Sequence, residues 1–326
     1  MKTNNHIIAC RDEARELKIV VEAPGSSANL GPGFDVFALA LDRPRDRITL
    51  SSEPAQKLSI AIDNSGETST PTAPARNGAG AVCLAIGRAH GIKKRIGLEI
   101  AKGVPIGRGM GSSGASAAAA AFGMNELFSL GLSKDEMIFY AGKGEEVTSG
   151  SAHYDNVSAS LLGGFVVVRV AEKPAAIRFD PPPSLSLVLV TPSLKLPERK
   201  TEYTRSVLPR SVELKMMVSN VANASLIVSG FARADVRMIG SGMVDEVVEE
   251  ARKKLIPGYA AVRRSALEAG ASGVCISGGG PSMLAVVDRS RFDPRSVMDN
   301  MVAGFGEADI ESEGFVTKVG EGAVRM

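Results

Sequence analysis

The chain has no tryptophan, four tyrosines, three cysteines and three histidines in 326 residues. Each shortage removes a class of function. Nucleic-acid platforms stack bases on aromatic rings in basic surroundings, and a net charge of +2 supplies no strong field for such a partner. Cys10, Cys83 and Cys275 are scattered, without the spacing of a disulfide framework or a zinc site. They fit a reducing, cytoplasmic compartment. No run reaches the ~18 consecutive apolar residues of a transmembrane helix. Met1 to Leu17 is polar and charged, with no apolar stretch of a signal peptide. The expectation is a cytoplasmic protein without a nucleic-acid or membrane partner, long enough for two packed domains.

What the chain does have is clustered glycine. The run Val104 to Phe122 carries a glycine- and serine-rich loop straight into an alanine-rich stretch. Apolar residues at Ala117, Ala121, Met124 and Phe128 give that stretch the stripe of a helix packed on a sheet, stopped by Gly131. A glycine loop at a helix N-terminus offers unpaired N–H groups and the positive end of the helix dipole, which seats a phosphate. The competing reading is a tight turn of small residues for helix–sheet packing. The loop lacks the Gly-Lys-Ser/Thr of a Walker A motif. Gly109, Gly111 and Gly114 match the dinucleotide pattern of a Rossmann oxidoreductase, but they follow Pro105 rather than a long apolar strand. Ser112 and Ser113 add hydroxyls that can reach a phosphate or a metal ion.

Around this run, Lys18–Ala23, ending at Pro24, reads as a strand, as do Asp46–Ser51, Leu58–Ile62 and Gly97–Ala101. Thr70–Arg76 reads as a proline-bearing loop and Gly80–His90 as a helix. Ser133 and Glu136 form a capping box that starts another helix. Leu161–Val170 reads as a strand kinked at Gly163-Gly164. Strand character fades at Glu172–Pro174, before Pro181-Pro182-Pro183, and the boundary between two α+β domains falls there: residues 1–174, with an extension over 1–17, and 175–326. Helices over Val212–Arg233, Val244–Leu255 and Gly258–Ala269 follow, with strands at Ser186–Val190, Gly273–Ile276 and Met283–Asp288.

Two further segments carry candidate chemistry. In Ser26 to Asp35, Gly31 and Gly33 permit positive φ around Pro32. Asp35 either accepts from an ammonium or hydroxyl group or caps the following segment. Ser277 to Ser282 holds three consecutive glycines, more than a hairpin requires. They indicate close approach of a ligand or another backbone, or a bulged turn. Between them, Glu145 is either a magnesium ligand, since Mg²⁺ takes one or two carboxylates plus phosphate oxygens, or a surface glutamate.

The three segments, in this order, resemble the GHMP small-molecule kinases. Pro105 to Gly114 is similar to that family's central Pro-x-x-x-Gly-Leu-Gly-Ser-Ser-Ala motif, with Met110 for Leu and Gly114 for Ala. Ser27 to Asp35 resembles the branch that phosphorylates homoserine. Similarity continues through Glu145, His153 to Asn156, Gly163 to Phe165, Leu255 to Tyr259, Ile276 to Ser282 and Val319 to Gly322, across nearly the whole chain. The resemblance implies an α+β, two-domain GHMP kinase fold: an N-terminal domain like ribosomal protein S5 and a ferredoxin-like C-terminal domain.

It also implies ATP and Mg²⁺ as cofactors and L-homoserine as acceptor, on the route to threonine. ATP would meet Asn77 and the loop Pro105, Ile106, Gly107, Arg108, Gly109, Met110, Gly111, Ser112, Ser113 and Gly114. Ser112 and Glu145 would hold Mg²⁺ and, with Asn156, serve catalysis. Asn29, Asp35, His153, Asn156, Thr201, Arg205, Arg252 and Gly278 would bind the amino acid, with Asp35 on its ammonium and the arginines on its carboxylate. Arg108 would add charge to the triphosphate site. Homodimers are common in the family. Mevalonate or shikimate as acceptor, and a non-catalytic nucleotide-binding protein, are the alternatives.

Overall fold

The structure is a computed structural model. It describes residues 17–326 apart from 66–69, 172, 196, 198 and 199; nearly all of the N-terminal extension lies outside the described residues, as does Glu172 at the expected domain boundary. In chain order the elements are β1 (Leu17–Asn29), β2 (Gly33–Pro54), β3 (Ser59–Asp63), α1 (Gly78–Ala89), β4 (Lys94–Ala101), α2 (Ser112–Phe128), α3 (Lys134–Ser149), α4 (Tyr154–Leu162), β5 (Phe165–Arg169), β6 (Ala175–Phe179) and β7 (Leu185–Pro192). They continue as α5 (Lys200–Ser206), α6 (Leu214–Ala232), α7 (Val236–Ser241), α8 (Val248–Arg252), α9 (Tyr259–Glu268), β8 (Gly273–Ile276), β9 (Met283–Asp288), α10 (Pro294–Gly306), β10 (Ser312–Thr317) and β11 (Val324–Arg325).

The first unit is a mixed sheet, β11-β1-β2-β4-β3 with β5 and β6 joined to β2. Its helices α1 to α4 pack over one alanine-rich core. Alanines 117 to 121 of α2 are all fully buried, so the helix lies close against the strands. The second unit is an antiparallel sheet, β10-β7-β9-β8, with β7 and β9 buried along almost their whole length. A further core cluster joins Leu30, Leu39 and Phe165 of the first unit to Leu187, Phe231 and Leu284 of the second.

Several elements differ from the sequence reading. β1 does not end at Pro24: the strand continues to Asn29 through a register shift at Pro24–Ser26. That shift aims Ser26 to Asn29 along the site. Leu161–Val170 is not one kinked strand. Gly163 and Gly164, both at φ +70°, end α4 and start β5. α2 stops at Phe128, where Ser129 is left-handed, before Gly131 is reached. The first sheet runs past Glu172–Pro174, because β6 pairs with β5 and the C-terminal β11 returns to β1. The capping box at Ser133 and Glu136 is present in full.

Candidate active site

A cleft of about 860 Å³ runs between the two units. Its floor is the junction of all three glycine segments. Ser26 N donates to Met110 O at 2.9 Å, and Gly278 N donates to Ala28 O at 3.1 Å. Ser277 Oγ lies 2.7 Å from Gly109 O and 2.8 Å from Ser27 Oγ. One hydroxyl has one proton; given to the carbonyl, it leaves Ser27 as the donor to Ser277. Ser282 Oγ donates to Arg108 O at 2.6 Å. These contacts explain two glycines. A Cβ on Gly109 would stand 2.3 Å from Ser277 O, and one on Gly111 would stand 2.1 Å from Ser26 Oγ. Both also have positive φ, at 83° and 64°.

Gly111 is the N-cap of α2 and has no side chain to satisfy an N–H. The first-turn donors of this 17-residue helix therefore face the cleft over Ser112 and Ser113. The loop is held from behind by a buried polar cluster. Asp46 accepts from Gly103 N, Val104 N, Ser116 Oγ and Lys102 Nζ, and Lys102 also reaches Ser112 O at 2.8 Å. Ser112 Oγ donates to Val104 O at 2.8 Å.

Opposite the loop, Glu145 is buried on α3. Its Oε2 meets His153 Nδ1 at 3.1 Å, while its Oε1 is buried without a partner among the described residues. A buried carboxylate oxygen left unsatisfied is costly in isolation, and it is a fitting donor for a hard cation. Burial opposes the charging of His153, but the hydrogen bond to Glu145 and its charge outweigh it and hold the imidazole pKa above its ordinary value.

At the other end, Asn29 Nδ2 donates to Gly278 O at 2.9 Å, and Asp35 sits at φ +58°. Arg205 of α5 reaches across the cleft to both oxygens of Asp35 at 2.8 Å. Arg252, at the end of α8, donates to Thr204 O and Gly278 O. Both guanidinium groups lie 5.2 Å from the Phe34 ring. Burial pulls the pKa of Arg252 down to about 10. Asn156 Oδ1 accepts from Ser26 Oγ, and its Nδ2 donates to Asp155. Asp155 is almost fully buried; burial first and the charge of Asp35 second push its carboxyl up to about 6.

Most residues singled out in the sequence line this cleft: Asn29, Asp35, Asn77, Ile106, Gly107, Gly109, Met110, Gly111, Ser112, Ser113, Glu145, His153, Asn156, Thr201, Arg205, Arg252 and Gly278. Three do not. Pro105 stands outside the lining. Arg108 turns away to the carbonyls of Pro192 and Leu194, both at 3.3 Å, so its charge leaves the loop. Gly114 faces Asn156, whose Cβ would lie 3.1 Å from a Cβ at 114; it serves the packing of α2 on α4. Asn77 caps α1 through Gly80 N and donates to Pro71 O, so both ends of its amide are engaged. Lys102 and Lys200 line the cleft without having been marked in the sequence, and Asp155, inside the His153 to Asn156 stretch, had been given no role. Only their burial gives them meaning, and no local pattern announces it.

A glycine loop seated on a helix N-terminus, facing a buried carboxylate, with paired acid and arginine groups across the cleft, suits a small-molecule kinase, and the comparisons with known proteins bear that class out. The chain belongs to the GHMP kinase family: residues 77–164 match the model of the GHMP kinase N-terminal domain, and 227–301 match that of the C-terminal domain. Relatives named homoserine kinase are similar to it over most of the chain. That of Haloarcula marismortui is 40% identical over 305 residues, covering 94% of this chain and 99% of its own. That of Thermoplasma volcanium is 41% identical over 272 residues, covering 83% and 85%. The crystal structure of homoserine kinase from Cytophaga hutchinsonii superposes with a TM-score of 0.87 at 31% identity, over 99% of this chain and 100% of that one.

Proposed function

We propose that this chain transfers the γ-phosphoryl group of ATP to the side-chain hydroxyl of L-homoserine, giving O-phospho-L-homoserine and ADP. The carrying observation is the placement of Asp35, Arg205 and Arg252 beside a helix-seated phosphate loop. An α-amino acid brings one ammonium and one carboxylate. Asp35 and Arg205 pair with each other and can exchange that partner for these two groups without leaving a charge uncompensated. Mevalonate and shikimate carry a carboxylate but no ammonium for Asp35.

In this reading the loop from Ile106 to Ser113 wraps the triphosphate, and the segment around Asn77 borders the adenine. The first-turn N–H groups of α2 are preorganised for the negative charge that spreads over the transferring group. Glu145 and Ser112 would hold the magnesium ion, which neutralises phosphate charge when bound. His153 holds one oxygen of Glu145, leaving the other free for that role. Asn156 and Ser26 position the acceptor end; an amide takes no proton, so alignment does the work there. The reading extends to a cytoplasmic homodimer, which light scattering of the purified chain tests for mass.

An ADP-release assay with Mg-ATP and a panel of L-homoserine, L-threonine, mevalonate and shikimate tests the proposal. Homoserine should give the highest kcat/KM. Turnover of mevalonate without turnover of homoserine would overturn it.

A further inference from the structure

Lys200, the first residue of α5, is a cleft-lining lysine. Among the described residues neither Lys200 nor Arg252 has a carboxylate within 4.0 Å, whereas Arg205 pairs with Asp35 through one of its terminal nitrogens. Two cations thus share one end of the cleft with no carboxylate in direct contact among the described residues; Asp35, Asp245 and Asp155 act on Arg252 only from a greater distance. Taking charges out of water is costly unless an anion joins them.

The glycine loop supplies a second, independent observation. A Cβ on Gly279 would stand 3.1 Å from Thr204 Oγ1 and 3.3 Å from Lys200 Nζ. Unlike Gly278 and Gly280, Gly279 does not have positive φ. A side chain there would meet Thr204 Oγ1 first and the Lys200 amine next, so the Lys200 ammonium lies directly against this glycine. Arg252 reaches the same loop from the other direction, through Gly278 O and Thr204 O.

We propose that Lys200 is a binding residue for the acceptor: its ammonium and the Arg252 guanidinium, set against Gly278 and Gly279, together seat the substrate carboxylate. This rests on the homoserine reading above. It gives Gly279 a role and assigns a cation to the carboxylate besides the two arginines. The charged group facing Lys200 is Arg252 of α8; Gly279 adds only backbone and Thr204 a hydroxyl. Burial, and then the charge of Arg252, bring the lysine pKa down to about 7. The amine is charged below that pH, so affinity for the carboxylate should weaken as pH rises through it.

The test compares wild type, Lys200→Met and Lys200→Arg with two acceptors, homoserine and 3-aminopropan-1-ol. The second has the same ammonium and hydroxyl but no carboxylate. Wild-type turnover of homoserine checks the parent reading separately. Lys200→Met should raise the KM for homoserine about 10-fold or more, the scale of one charge-assisted hydrogen bond. Its kcat and its KM for ATP should stay within about twofold, and kcat/KM for aminopropanol should not change. Lys200→Arg should recover part of the loss. Between about pH 6.5 and about pH 8.5 the wild-type KM for homoserine should rise, and that of Lys200→Met should be flat. An unchanged KM for homoserine would overturn the proposal. So would equal losses with both acceptors, or a fall in kcat at constant KM, which would place the amine on the phosphoryl group.

Discussion

The Asp46 cluster braces the glycine loop from behind. Asp46 is fully buried, and the side chain of its partner Lys102 is only 8% exposed. Asp46 Oδ1 accepts from Gly103 N at 3.0 Å and Val104 N at 2.9 Å, while Oδ2 accepts from Ser116 Oγ at 2.7 Å and from Lys102. Asp46→Ala strands the ammonium and two backbone N–H groups at once. Removing one partner of a buried ion pair costs about 3–5 kcal/mol, and each orphaned N–H about 1–3 kcal/mol. Water admitted to the small cavity recovers part of this, so the expected loss is about 4–6 kcal/mol, a large share of ordinary domain stability. Lys102→Met leaves Asp46 with three of its four donors and should cost about 3 kcal/mol, the low end of the range for a broken buried pair. The double variant should cost less than the two single losses added. Because Lys102 also holds Ser112 O, every variant should raise the KM for ATP. Urea unfolding and ATP titration measure both effects. A loss under about 2 kcal/mol for Asp46→Ala, or strict additivity in the double variant, would refute the reasoning.

Other outcomes follow from single positions. Glu145→Gln keeps the volume but removes the charge offered to magnesium; kcat should fall about 100-fold or more, and saturation should need a higher Mg²⁺ concentration, read from a magnesium titration. Gly109→Ala forces a Cβ against Ser277 O at positive φ, so thermal unfolding should show a loss of about 1–3 kcal/mol together with weaker ATP binding. Glu249 of α8 is buried and accepts from Tyr259 OH at 2.6 Å; burial foremost lifts its pKa from 4.5 to about 7. The folded state then holds this proton more tightly than the unfolded chain, so stability should fall as pH rises from about 4.5 to about 7. Glu249→Gln should flatten that part of the profile, as seen in denaturation midpoints across the range.

The legible parts of the fold were those with strong local chemistry. β8 and β9 are apolar runs on either side of the glycine turn 278–280, and α3 opens on a complete capping box. The rest depended on partners far along the chain. Leu161–Val170 is an apolar run that suits a strand or a buried helix end, and only the packing of α4 against α2 and α3 decides it. α10 begins with Asp293 as cap and Pro294 in its first turn, a signal present in the sequence and passed over. In the site, the loop glycines and Asp35 carry their meaning in local pattern. Arg108 did not: its neighbours in sequence are phosphate-loop residues, but its nearest acceptors are carbonyls 84 and 86 positions away. Asp155 and Lys200 are ordinary charged residues until the fold brings Asp35 beside the one and Gly279 and Arg252 beside the other.

The central claim concerns where the phosphoryl group goes. Wild-type protein incubated with Mg-ATP and L-homoserine, followed by ³¹P NMR, tests it most directly. The account predicts a phosphomonoester signal matching O-phospho-L-homoserine, growing in step with ADP and absent without homoserine. ADP formation accompanied only by inorganic phosphate, or no phosphomonoester with homoserine while another alcohol gives one, would contradict it.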